Sequence, residues 1–186
     1  MNATVPQIGF DRFIQLEWVA AVIKVRAGTT SVDALTELLE TSVLGKESRA
    51  KTRTKLNALG LEPRLELADF IDRGVSIFKS SEKTEEIAAF AWGSAIASYP
   101  YFGKIAEFTG RLTSIQGDCS VSEIHRRMSE VYGDREATKR ATQAVIQTQA
   151  NWGAIQRVEK GKRLVKLPIR PLTKDKAIAW LVEAAL

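Results

Sequence analysis

Between Ser120 and Leu167, two runs with helical spacing are divided by a Gly133-Asp134 turn and followed at once by a short basic hairpin. This order of elements restricts the chain more than any other feature. Ser120 and Glu123 form the Ser-x-x-Glu pair, in which a hydroxyl and a carboxylate bond the first free N–H groups of a helix. Val121, Ile124, Met128 and Val131 then recur at helical intervals up to Gly133. Asp134 is placed to cap the next helix, Arg135 to Trp152, along which Ala137, Ala141, Ala144, Val145, Thr148 and Trp152 share one sector at about 100° per residue. Gly153 stands where a helix-ending glycine is expected. Ala154 to Val158 and Arg163 to Leu167 read as two short strands joined through Glu159-Lys160-Gly161-Lys162.

The preceding residues have a different grammar. Phe13 to Val25 is too densely apolar for a half-exposed strand and fits a helix buried on most of its circumference, ended by Gly28. Thr30 or Ser31 is placed to cap a helix through Glu40 that carries Val32, Leu35, Leu38 and Leu39 on one side. A further helix is expected from Ser48 to Leu59, with Gly60 in a left-handed conformation before Pro63. Pro63 opens a helix with Leu65, Phe70, Ile71, Val75 and Phe78 inside, and Thr84 caps one from Glu85 to about Ala97. Residues 1–100 therefore read as a helical bundle. Tyr99-Pro100 breaks the pattern. A helix from Tyr101 to about Ile115 follows, and the chain closes with a helix from Thr173 to Ala185, in a second domain over residues 101–186.

The net charge of +5 is unevenly spread. From Cys119 to Arg170 eleven basic residues face five acidic ones, which leaves the first 118 residues slightly negative and the last sixteen balanced. A local positive field suits a polyanion-binding surface, although charge alone does not separate a nucleic acid from an anionic protein or a solvated face.

Helix, helix, tight turn, longer helix and basic hairpin together resemble a winged helix-turn-helix domain over roughly Tyr101 to Pro171. The resemblance implies that the helix from Arg135 lies in a DNA groove and that the hairpin touches the backbone. Opposite its apolar sector that helix offers Arg135, Lys139, Thr142 and Gln143, with Arg140 on the flank; Arg and Lys serve guanine or phosphate, and Gln pairs with adenine. The wing adds Arg157, Lys160, Lys162 and Arg163 for phosphate. Arg49, Lys51 and Arg53, on a basic helix of the bundle, either extend the track or form a solvated face. Glu136 would repel a phosphate brought near it. Trp152, in line with the alanines, reads as core, and His125 as a partly buried structural residue.

Over the whole chain, Trp92, Tyr99-Pro100-Tyr101-Phe102, Gly110-Arg111-Leu112, Arg126-Arg127-Met128, Tyr132-Gly133-Asp134-Arg135-Glu136 and Asn151-Trp152-Gly153 make the sequence similar to the small BrxA-type proteins of BREX phage-defence islands. That resemblance implies a non-enzymatic binder of double-stranded DNA working beside a methyltransferase and other defence proteins.

Other classes are less well served by the residues. No paired carboxylates, nucleophile and base, metal-ligand set or phosphate loop occur, so neither an enzyme nor a cofactor is expected; the single cysteine, Cys119, excludes an internal disulfide. No apolar run reaches membrane-spanning length, and Met1 to Gln7 lacks the pattern of an export signal, so the expected location is the cytoplasm. A scaffold whose winged domain docks an acidic protein, a transcriptional regulator, and a homodimer through Ala177, Ile178, Leu181 and Ala184 of the last helix all stay open.

Overall fold

In the computed structural model, which describes residues 6–168 and 170–186, the chain is mainly helical with one small antiparallel sheet. The stretch read for an export signal falls mostly on residues 1–5, outside the described residues. The elements are α1 (Leu16–Arg26), α2 (Val32–Ser42), α3 (Lys46–Leu56), α4 (Ala68–Phe78), α5 (Thr84–Ser98), α6 (Pro100–Gln116), β1 (Asp118–Ser120), α7 (Val121–Tyr132), α8 (Glu136–Asn151), β2 (Ile155–Val158), β3 (Arg163–Lys166) and α9 (Asp175–Ala184). No helix among the described residues is long and apolar enough to cross a membrane. Contacts gather into two compact units: residues 14–98 with 170–186, and residues up to Phe13 with those from Tyr99 to the end of the hairpin.

The first unit is a helical bundle. Trp18, Val19, Val22 and Ile23 bury one side of α1, while Glu17 near its start and Lys24 and Arg26 near its end complement the helix dipole. The Ser31 hydroxyl accepts from the Ala34 N–H at 3.2 Å and starts α2, which buries Leu35 and Leu39 and leaves Val32 half-exposed. Helix α3 runs on through a π-helical turn, Asn57–Leu61, instead of stopping at Leu59. Gly60, expected from the sequence to be left-handed, is not. It is buried within that turn, where a Cβ would lie 2.6 Å from Cγ1 of Val22, so close approach of α1 excludes any side chain. Leu65, expected inside, is exposed, because the chain after Pro63 forms a short 3₁₀ turn before α4 begins.

The last helix belongs to this bundle, not to the domain that follows residue 100. Trp180 of α9 lies stacked between Phe70 and Phe90, with ring centroids 4.5 and 5.6 Å away and interplanar angles of 10° and 3°, and meets Phe78 edge-on. Its indole N–H donates to the Phe70 carbonyl at 2.8 Å, so the one polar atom of the ring is satisfied. The space exists because α4 and α5 carry glycines there: Cβ atoms on Gly74 and Gly93 would fall 2.5 and 2.2 Å from the indole.

The second unit runs helix, strand, two helices and hairpin. Pro100 takes the first position of α6, where its missing N–H costs nothing. Phe102, Ile105, Thr109 and Leu112 are buried along this helix, and Phe102 packs on Phe10 and Trp152 at 5.2 and 5.4 Å. The hairpin strands β2 and β3 pair antiparallel, Arg157 opposite Leu164, and β3 pairs on its other side with β1, Cys119 opposite Leu164. The order is β1-β3-β2, so the sheet has three strands where two were expected. Cys119, Ile155 and Leu164 point into the core.

Candidate nucleic-acid interface

Helix α7 begins as its sequence indicates: the Ser120 hydroxyl accepts from the Glu123 N–H at 3.1 Å. The Glu123 carboxylate turns instead to Arg127, four residues on, which reaches it at 3.1 Å. Gly133 closes the helix with φ at 85°. Asp134 does not cap α8; Arg135 takes the N-cap position without a side-chain bond, and the Thr138 hydroxyl reaches back to the Gly133 carbonyl at 2.8 Å.

The expected inward sector of α8 is buried at Ala141, Ala144, Val145, Thr148 and Trp152, whereas Ala137 is exposed. The buried face is wider than that sector and also takes in Thr138, Thr142, Ile146 and Gln149. Thr142, expected to face DNA, is 0% exposed, and its hydroxyl contacts the Tyr101 phenol at 2.8 Å. A β-branched residue with a self-satisfying hydroxyl is compatible with a helix interior once its oxygen bonds the carbonyl four residues back, as here to Thr138 at 2.8 Å. Gln143 is half-buried. Arg135, Lys139 and Arg140 are exposed at the start of α8, but the last two have acids nearby: Lys139 Nζ is 3.6 Å from Asp134 and Arg140 Nε is 3.9 Å from Glu136.

The hairpin tip turns through three consecutive residues with positive φ, Glu159 at 49°, Lys160 at 56° and Gly161 at 83°. Only glycine suits the third position. Its φ is unfavourable for other residues, and a Cβ there would meet the Arg157 guanidinium at 2.7 Å. Arg157 is half-buried, with Nε unpartnered. Lys160 and Lys162 project into solvent, and so does Lys166, which the sequence reading did not single out; it shares the face of buried Leu164 but stands at the end of β3. Arg163 is committed elsewhere: both its Nε, at 2.8 Å, and its terminal nitrogen bond the Asp118 carboxylate. That pairing holds the Asp118 carboxyl below its usual range and raises the guanidinium. It fastens β3 to β1, and Arg163 is a strut of the sheet more than a free cation.

The basic positions of α3 lie in the bundle unit and are likewise engaged. Arg49 donates to the Val43 carbonyl at 3.2 Å, Lys51 pairs with Glu47, and Arg53 donates to Asn57 Oδ1 at 3.0 Å. His125 is half-buried on α7; burial first, then the charge of Lys139, lowers its pKa, so the ring is neutral near pH 7. Trp152 is buried against Phe102.

The unit that carries α8 and the hairpin holds thirteen basic and eight acidic residues, and the bundle fourteen of each. The whole net charge of the chain therefore resides in the hairpin-bearing unit. Among the described residues, Arg135, Arg157, Lys160, Lys162 and Lys166 have no acid within ion-pair distance. Compared with known proteins, the chain matches no family model, no curated protein and no solved structure.

Proposed function

We propose that the second unit is a winged helix-turn-helix module that binds double-stranded DNA, with α8 approaching a groove and the β2-β3 hairpin gripping the phosphate backbone. The observation that carries this reading is the confinement of the net positive charge to the unit bearing both elements, with Lys160, Lys162 and Lys166 unopposed on the hairpin. The order α6-β1-α7-α8-β2-β3 and the antiparallel register of the sheet support the winged arrangement. Each exposed lysine that meets a phosphate releases a condensed counterion, which supplies affinity without regard to base sequence. Arg135 at the N-cap and Lys139, Arg140 and Gln143 on α8 have side chains with chemistry for base edges. The similarity to BREX-type proteins extends the proposal to a role beside other defence proteins.

The direct test is binding of the purified protein to a labelled random duplex and to the matching single strand across a salt series. Duplex binding that weakens steeply with salt is the expected result. Absence of binding at low salt overturns the reading and turns the search toward an acidic protein partner.

A further inference from the structure

We infer that Asp134 and Glu136 restrain the phosphate binding of α8, so that on DNA of arbitrary sequence the hairpin supplies the electrostatic grip and α8 contributes only where base contacts compensate. The inference rests on the DNA-binding reading above.

The start of α8 carries three cations and two carboxylates, Asp134, Arg135, Glu136, Lys139 and Arg140. Asp134 and Glu136 lie beside Lys139 and Arg140 at 3.6 and 3.9 Å, and all four side chains are more than half exposed. Such exposed pairs are weak and open readily. Their consequence is electrostatic. A phosphate that meets Lys139 or Arg140 sheds its condensed counterion but also frees a protein carboxylate that attracts a cation in turn, so the net release that drives unselective binding is smaller. The displaced carboxylate also stays within a few ångströms of the phosphate and repels it.

The hairpin differs. Glu159 is its only acid, and that carboxylate sits 4.0 Å from Arg163, the residue already tied to Asp118. Arg157, Lys160, Lys162 and Lys166 have no such competitor among the described residues. The two elements therefore divide the work: the hairpin holds any duplex, and α8 engages only when hydrogen bonds to base edges offset the opening of its ion pairs. Asp134 and Glu136 widen the gap between specific and random sites by weakening the random ones.

The helix start gives these carboxylates a second use, since negative charge there favours the helix dipole. The test separates the two. The variants Asp134→Asn and Glu136→Gln, singly and together, are titrated with a random-sequence duplex across a salt series, and their melting temperatures are recorded. Asp134 makes no capping bond and lies outside the helix, so Asp134→Asn folds as the parent does and carries the test alone if the Gln variant melts early. The expected result for the double variant is affinity higher by roughly threefold to tenfold at fixed salt, with a slope of log K against log salt steeper by up to about 1.8. The gain should vanish when Lys139→Ala and Arg140→Ala are added. Lys160→Ala with Lys162→Ala, in the parent background, should flatten the slope by about 1.8. Unchanged affinity and slope in the carboxylate variants, or a gain that survives loss of Lys139 and Arg140, overturns the inference while leaving the DNA-binding reading intact. A parent protein that ignores duplex at low salt overturns both.

Discussion

The phenol oxygen of Tyr101 lies 2.8 Å from the Thr142 hydroxyl, and both oxygens reach the carbonyl of Thr138, at 2.9 and 2.8 Å. Three buried oxygens close a triangle that ties α6 to α8 with only two hydroxyl protons. Desolvation raises the Tyr101 pKa, as burial of a phenol that must stay neutral requires.

Removing the phenol oxygen with Tyr101→Phe leaves the Thr138 carbonyl and Thr142 hydroxyl to share one proton in an apolar site. The expected loss is about 1–2 kcal/mol of stability. Thr142→Val removes a second member, so the double variant should lose less than the sum of the singles, because the two positions share their partners. Denaturant unfolding followed by circular dichroism gives all three values.

The Trp180 slot makes a sharper prediction. Gly93→Ala forces a methyl group to within 2.2 Å of the indole, in a position flanked by stacked rings that have nowhere to move. Overpacking of this kind costs about 3 kcal/mol, and Trp180→Ala, which empties the slot, costs about 3–5 kcal/mol. If Trp180→Ala partly rescues Gly93→Ala, the two residues occupy the same space as described; additive losses would contradict it.

Glu86 should shape the acid limb of the stability curve. Its carboxylate is almost fully buried and accepts from Lys174 at 2.7 Å, and that bond first, then one from Ser81, lowers its pKa below the usual 4.5. The unfolded chain binds the proton more readily than the folded one, so the stabilisation is complete above pH 4.5 and is lost as the pH falls further. Glu86→Gln should therefore lower stability at pH 7 by about 1–2 kcal/mol and flatten the dependence below pH 4.5. Melting temperatures measured from pH 3 to 7, in about unit steps, read both effects.

Cys119 behaves in the opposite sense. Burial in the sheet, then the nearby Glu123 and Asp118 carboxylates, push its thiol up to about 11. The native protein should resist a thiol-specific disulfide reagent at pH 8 and react fully once unfolded, since only the thiolate attacks. Stability linked to this thiol is complete below pH 9 and is lost as the pH rises toward about 11; Cys119→Ala removes that component.

How far the residues announced this structure depends on the range of the interactions concerned. Ser31, Ser120, Gly133 and Pro100 act on the next few residues, and each helix boundary they mark is found close to where they place it. β1 could not be read: three residues show no alternation, and its partner β3 lies about 45 positions away. The alanine sector of α8 marks the inward direction, but the buried face is wider than that sector and takes in Thr142, whose polar anchor on Tyr101 no apolar pattern reveals. Of the candidate cations, Lys160 and Lys162 are exposed as expected. Arg163, Arg49, Lys51 and Arg53 have partners on their own or neighbouring elements that charge counting does not reveal.

The slot that Trp180 fills is formed by α4 and α5, yet the residue that fills it arrives after the entire intervening unit. During synthesis Gly74, Gly93, Phe70 and Phe90 are made before Trp180, so the slot they border has no occupant until α9 follows. The bundle therefore completes its core only with α9, although its first residues are made first.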